Sequence, residues 1–305
     1  QNATDDRFSG TKTWQQNTQM IASPNITVLG AGQMGQGIAH ISALAGFNTR
    51  LYDKDKSTLE AAMAAVEQTL SKGVELGKIT NADRVRTLER LTPAMTVEHG
   101  VENAGLVIEA IPEDINLKKD LFRQVADSVP EETVLASNTS SLSITEIASG
   151  IPSPDRVVGM HFFNPPHIIK LLEVIRGEKS ASEIVDRVCE IGRQMDREVV
   201  LISDSPGFAS SRLGVVLGLE AIRMLEQGVA SAADIDAAMV HGYRHPIGPL
   251  RLTDLVGLDV RLAIAQYLHE KLGSSQFEPP KLLQEMVRDG LLGKKSGKGF
   301  YCWKE

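Results

Sequence analysis

The sequence predicts an α/β chain: a mostly parallel sheet with helices on both faces and a helical-hairpin insertion, followed by an all-α C-terminal domain. Three observations carry this expectation. A strand-turn-helix-strand unit opens at Asn25, short apolar runs then alternate with helical segments as far as Ile202, and beyond Ser203 strand signals give way to helical periodicity. At 305 residues the chain is long for one core and suits two domains. They are placed at 25–203 and 204–305, divided where Asp204-Ser-Pro-Gly207 punctuates the pattern.

The first strand is Ile26 to Leu29, followed by a glycine turn from Gly30 to Gly37, an apolar helix to Ala45, and a second strand, Thr49 to Tyr52, ending at Asp53. A helical stretch from about Asp55 to Leu91 breaks near Gly77 to Asn81, with Asn81 as cap, and reads as two antiparallel helices. Strands resume at Gly105–Glu109, Thr133–Ser137, Arg156–Met160, Leu171–Ile175 and Glu198–Ile202, with helices at Asn116–Ser128 and Ile144–Ser149 between them. The helical domain is read as Ala209–Glu226, Ala232–Met239, Leu250–Leu272 and Pro280–Arg288.

Composition narrows the class. Hydrophobic residues at 42% and charged residues at 23% are those of a globular chain, and a net charge of -7 argues against a nucleic-acid surface, which needs clustered Lys and Arg. No apolar run approaches the roughly 18 residues of a bilayer span, so no membrane association is expected. Cys189 and Cys302 lie far apart and in no metal-ligand spacing, which points to free thiols, a reducing compartment and no metal. Residues 1–24 are polar, lack a hydrophobic signal core and do not begin with Met. They read as a tail, and the expected location is cytoplasmic, or the mitochondrial matrix if that tail is a processed transit remnant.

Gly30-Ala31-Gly32-Gln33-Met34-Gly35 is a G-x-G-x-x-G set between a strand and a helix, the context in which a Rossmann-type turn binds a dinucleotide. Gly30 allows the tight turn, Gly32 lets backbone approach the pyrophosphate, and Gly35 lets helix and strand pack closely. The N–H groups of Gln33 and Met34 then face the phosphates, helped by the helix dipole. Asp53 ends the second strand, where a carboxylate accepts hydrogen bonds from the adenosine ribose and repels a 2′-phosphate, favouring NAD. Arg50 and Lys54 nearby leave NADP open.

Hydride chemistry on an alcohol needs a base for the hydroxyl proton, a role histidine fills near neutral pH. Of the seven histidines, His161 ends a strand that carries it to the carboxyl edge of the sheet, where ligands bind in such folds. Glu173 lies in the next strand. If the two strands pair, its carboxylate fixes the tautomer of His161 and raises its basicity.

Asn138-Thr-Ser-Ser-Leu142, His161-Phe-Phe-Asn-Pro165, Leu172-Glu173-Val174, Ser205-Pro-Gly-Phe208, His245-Pro-Ile-Gly-Pro249 and Gly293-Lys-Lys-Ser-Gly-Lys-Gly-Phe-Tyr301 together resemble the 3-hydroxyacyl-CoA dehydrogenase family, in order from about Ile26 to Trp303. The resemblance implies that His161 and Glu173 are the catalytic dyad, that Ser140 binds the substrate's reacting oxygen, and that Glu113, Lys118 and Asn164 line the nicotinamide half of the cofactor. It implies an acyl-CoA substrate oxidised at its (3S)-hydroxyl, Lys72 in the helical insertion beside the CoA nucleotide, and a homodimer through the helical domain. One position departs: Ser211 stands where the family usually has an Asn that donates to the substrate carbonyl region. A shorter hydroxyl there leaves a tighter pocket, a bridging water, or a substitute donor in Ser210 or Arg212. Two other readings carry different chemistry: a dehydrogenase of a free 3-hydroxy acid or carnitine-like alcohol, suggested by Pro165-Pro-His167, and a non-catalytic NAD-binding relative.

Overall fold

The computed structural model describes residues 24–303, so the expected tail lies outside the described residues apart from Pro24. In chain order the elements are β1 (Ile26–Leu29), α1 (Gln33–Leu44), β2 (Thr49–Tyr52), α2 (Lys56–Glu75), α3 (Asn81–Arg90), β3 (Leu91–Ala94), α4 (Val97–Val101), β4 (Leu106–Glu109), α5 (Ile115–Ala126), β5 (Val134–Ser137), α6 (Ile144–Ala148), β6 (Val157–Phe162), β7 (Leu171–Arg176), α7 (Ser182–Gln194) and β8 (Glu198–Ser203). The helical part follows as α8 (Ser210–Glu226), α9 (Ala232–Ala237), α10 (Pro249–Val256), α11 (Leu258–Leu272) and α12 (Lys281–Arg288).

The strands form one sheet in the order β3-β2-β1-β4-β5-β6-β7-β8. All neighbours are parallel except β6 and β7, which pair antiparallel. The chain leaves β1 toward β2 on one side and returns to β4 on the other, so a crevice opens beyond the carboxyl ends of β1 and β4. β1, β4 and β5 are buried along their whole length because helices cover both faces, which explains their unbroken apolar runs. Ile38, Phe47, Val66 and Leu70 close one face, Phe122, Val125, Ile144 and Ile147 the other. Val215, Leu219, Leu250, Leu258, Leu268 and Phe277 build a separate helical core.

Several expectations need correction. The hairpin's second helix is capped by Thr80, not Asn81: the Thr80 hydroxyl accepts from Asp83 N–H, and the Asp83 side chain accepts in return from the Thr80 backbone. That helix ends at Arg90, and Leu91–Ala94 is a strand at the sheet edge, where Pro93 forfeits no ladder bond that an inner strand would need. The stretch Leu250–Leu272 is two helices, because Gly257 takes φ 103° between them. The helix from Ala232 loosens into a π turn at Ala238–Gly242, and α7 was not anticipated.

The Gly293–Tyr301 motif is structural. Asp254, fully buried in α10, accepts from Phe300 N–H and Tyr301 N–H, each at 2.9 Å, and from the Trp303 indole at 2.7 Å. A Cβ at Gly293 or Gly299 would overlap Asp254, so only glycine lets the tail wrap this carboxylate.

In the sheet domain, α1 packs against the turn after His161, Gly37 facing Pro166. His40 is buried with its ring 5.8 Å from that of His167. Burial and, secondarily, His167 lower the His40 pKa from 6.5 to about 4. The unfolded chain therefore binds a proton between pH 6.5 and about 4 that the folded chain refuses. The stabilisation, ~3 kcal/mol, is complete above pH 6.5 and disappears as pH falls toward 4. His40→Gln is expected to flatten the pH dependence of the urea midpoint across that window; an unchanged slope would place the acid sensitivity elsewhere.

Candidate active site

The glycine turn behaves as its spacing requires. Gly30 takes φ 104°, a Cβ on Gly35 would overlap the Gly30 carbonyl, and a Cβ on Gly32 would meet nothing within 4 Å, since that face of the turn is open to the crevice. Gly32 is the N-cap of α1, with no side-chain capping bond and no acid in the first turn. The N–H groups of Gln33 and Met34 thus head an uncapped helix toward an anion. Asp53 is held by Ala31 N–H at 2.8 Å and Asp55 N–H at 3.0 Å, one to each oxygen. Gly30, Gly32, Gln33, Met34 and Asp53 line one cleft of about 730 Å³ together with Ile111 and Pro112. Arg50 faces away from it, donating to the carbonyls of His99 and Glu102 at 2.7 and 2.8 Å. That removes one of the cations that left NADP open. An open anion cradle, a ribose-facing acid and a cleft of this volume fit an NAD molecule.

His161 and Glu173 meet because β6 and β7 place them directly opposite each other in antiparallel register. Nδ1 of His161 lies 2.8 Å from Glu173 Oε2, both side chains are buried, and Phe163 and Phe208 pack their rings 4.4 and 5.9 Å from the imidazole. Phe162 N–H donates to the Asn138 side chain at 2.9 Å, tying the end of β6 to the segment after β5. The acceptor at Nδ1 sets the tautomer with the proton on that nitrogen and leaves the lone pair of Nε2 for substrate.

Ser210 plays a different part from that of a substitute donor to substrate. Its N–H donates to Glu173 Oε1 and its hydroxyl to Oε2, both at 2.8 Å, so the first residue of α8 grips the carboxylate that orients the histidine. Burial tends to raise the Glu173 pKa, but the bonds from His161 and Ser210 outweigh it and hold the carboxyl below its ordinary value. Ser210→Ala is expected to shift the acid limb of the pH–rate profile upward and cut kcat several-fold, with Ser210→Thr restoring both. An unmoved limb in a less active Ala variant would reduce Ser210 to a packing role.

The Asn138–Leu142 segment forms the second wall. Glu113 Oε1 accepts from the Thr139 hydroxyl at 2.6 Å, Ser140 N–H at 3.0 Å and the Ser140 hydroxyl at 3.3 Å. This last bond is long enough to be exchanged for a substrate oxygen. Burial pushes the Glu113 carboxyl up, but Lys118 and these donors prevail and keep it below the usual range. Lys118, wholly buried, lies 3.4 Å from Glu113 and donates at 2.6 Å to Glu109, which also receives the Ser137 hydroxyl at 2.6 Å. Glu109, Ser137 and Thr139 are site residues that the sequence did not single out.

The departure at Ser211 has a structural answer. Its hydroxyl donates to the Ser140 carbonyl at 3.3 Å. Ser210 is engaged with Glu173, and Arg212 lies 5.9 Å over Phe277 with Nη1 3.5 Å from the Ser205 hydroxyl. Asn164 lies beside Gln33 and His167 in a small separate cavity, and Lys72 stands exposed in the last turn of α2.

A cradle for a diphosphate and a base at the same sheet edge serve one purpose together, the removal of hydride and proton from a single alcohol. The chain is a dehydrogenase of the dinucleotide-binding α/β class. Its NAD-binding half, residues 25–205, matches the family model for the 3-hydroxyacyl-CoA dehydrogenase NAD-binding domain, and residues 207–303 match that family's C-terminal domain. It is 43% identical over 280 residues to the probable 3-hydroxybutyryl-CoA dehydrogenase of Bacillus subtilis, covering 92% of this chain and 97% of the relative. It is 41% identical over 286 residues to the 3-hydroxyadipyl-CoA dehydrogenase of Escherichia coli, covering 93% of this chain and 60% of that protein. The crystal structure of the (S)-3-hydroxybutyryl-CoA dehydrogenase from Ralstonia eutropha superposes with a TM-score of 0.90 at 34% identity, over 93% of this chain and 100% of that one. The chain belongs to the 3-hydroxyacyl-CoA dehydrogenase family.

Proposed function

We propose that the protein interconverts a (3S)-3-hydroxyacyl-CoA and its 3-oxoacyl-CoA, with NAD as the redox partner. The observation that carries this is the buried His161–Glu173 pair at 2.8 Å, on the sheet edge that also carries the glycine turn. Bound NAD supplies the hydride acceptor. His161 Nε2 takes the hydroxyl proton, and Glu173, kept ionised by Ser210, stabilises the imidazolium that results. Ser140 turns its hydroxyl from Glu113 to the reacting oxygen, and Ser211 donates toward the thioester carbonyl only by turning its one hydroxyl proton away from the Ser140 carbonyl. Glu113 and Asn164 border the nicotinamide half, the buried Lys118 acting there through Glu113, while Gly30, Ala31, Gly32, Gln33, Met34 and Asp53 hold the adenosine diphosphate and Gly35 lets α1 close on the turn. Lys72, exposed in the last turn of α2, is the cation proposed to meet the CoA nucleotide.

We also propose a homodimer. Leu213, Leu255, Val256 and Val260 expose apolar side chains on α8, α10 and α11, helices that pack on one another, and a second copy would cover them. Among the described residues no helix is long and apolar enough to cross a membrane. Free thiols at Cys189 and Cys302 favour a reducing compartment, cytoplasm or mitochondrial matrix. The test is absorbance of reduced nicotinamide with acetoacetyl-CoA, comparing NADH with NADPH. Turnover with NADH preferred supports the reading. A protein that binds NADH yet leaves the thioester untouched overturns it.

A further inference from the structure

Arg261 is unaccounted for by the catalytic machinery. It is 5% exposed, in the second turn of α11, and its Nε has no hydrogen-bond partner among the described residues. Burial lowers its pKa to about 10, and no carboxylate acts against that burial. A guanidinium sequestered in this way is costly unless something anionic joins it.

The direction of the side chain indicates what that is. Arg261 lies across α8 at Gly214 and Gly218: a Cβ at Gly218 would sit 3.4 Å from Nε, and one at Gly214 would meet Nη1 at 3.5 Å and nothing else within 4 Å. The space before Gly214 is therefore open except for the tip of the arginine. Gly214 stands about one turn, roughly 5 Å, along α8 from Ser210 and Ser211 and on the same face. Ser210 grips Glu173, and Ser211 touches the Ser140 carbonyl, so the helix stripe that begins at the reacting carbon leads to Arg261. The missing side chain at Gly214 leaves room for an acyl chain to follow it, whereas the one at Gly218 lets Thr253 and Arg261 pack against α8.

We propose that Arg261 is a specificity residue, and that the preferred acyl chain ends in a carboxylate which pairs with its guanidinium; this rests on the thioester reading above. Bringing an anion to Arg261 satisfies a buried cation, whereas a plain alkyl chain leaves it unpaired.

The test compares kcat/KM for 3-oxoadipyl-CoA and acetoacetyl-CoA in wild type, Arg261→Lys and Arg261→Met. Wild type is expected to favour the carboxylate-ended thioester by at least about 30-fold, the ratio to fall toward one in Arg261→Met, and Arg261→Lys to retain part of it. The wild-type ratio stands without any variant, so a misfolded Arg261→Met does not remove the test. Turnover of acetoacetyl-CoA with no gain from the terminal carboxylate overturns the inference and leaves the thioester reading intact. Inertness toward both thioesters overturns that reading as well. An unchanged ratio in Arg261→Met together with a dimer that dissociates in sedimentation overturns the inference too, by assigning the arginine to contacts with a second copy.

Discussion

Replacing His161 with alanine is expected to lower turnover of acetoacetyl-CoA by about 10²- to 10⁴-fold, the range for removal of a positioned general base. NADH affinity should stay near wild type, because the imidazole is held by Glu173, Phe163 and Phe208 and not by the glycine turn. Stopped assays and NADH fluorescence titration of the same folded variant separate the two. A variant that loses less than about tenfold would mean that another group takes the proton.

The second large effect concerns stability. Lys118→Met is expected to destabilise the fold by about 3–5 kcal/mol, because it strips the partner from Glu109, a carboxylate 1% exposed at the end of β4 beneath α5. Adding Glu109→Gln should recover much of the loss, since the amide needs no counter-charge. Urea midpoints of the two single variants and the double variant give the coupling directly. Equal midpoints for wild type and Lys118→Met would show that the buried carboxyl is held without its lysine. The pair also explains how Glu113 is placed: Lys118 is pinned from below by Glu109 and reaches Glu113 from a fixed position.

The parts of this site that the sequence made legible are those whose chemistry is local. Glycine spacing and the acid after β2 identify the dinucleotide crevice, because each residue acts through its own backbone conformation or strand position. His161 and Glu173 were legible as a pair once their strands were seen to be adjacent, although the antiparallel register that unites them was not. The part of Ser210 is not legible because its partner, Glu173, reaches it from β7, 37 residues away in the chain, although the start of α8 is legible to within a residue. Glu109 looked like any carboxylate at a strand end; its burial depends on Lys118 arriving from α5. β3 escaped because Pro93 argues against a strand everywhere except an edge, and the break at Gly257 because the apolar spacing runs on through it.

The register of β6 against β7 carries a consequence for variation in the chain. Opposed side chains in an antiparallel pair alternate faces, so sliding β7 by a single residue would send Glu173 to the far side of the sheet and leave His161 without its acceptor. Residues 163–170, which join the two strands, set that alignment by their length. A slip of that kind would also turn Leu172, Val174 and Ile175 away from the cores they fill, so the alignment that makes the dyad is the one that buries β7. The connection between these strands acts as a gauge block, pinned where Arg197 donates to the carbonyls of Pro166 and Ile169.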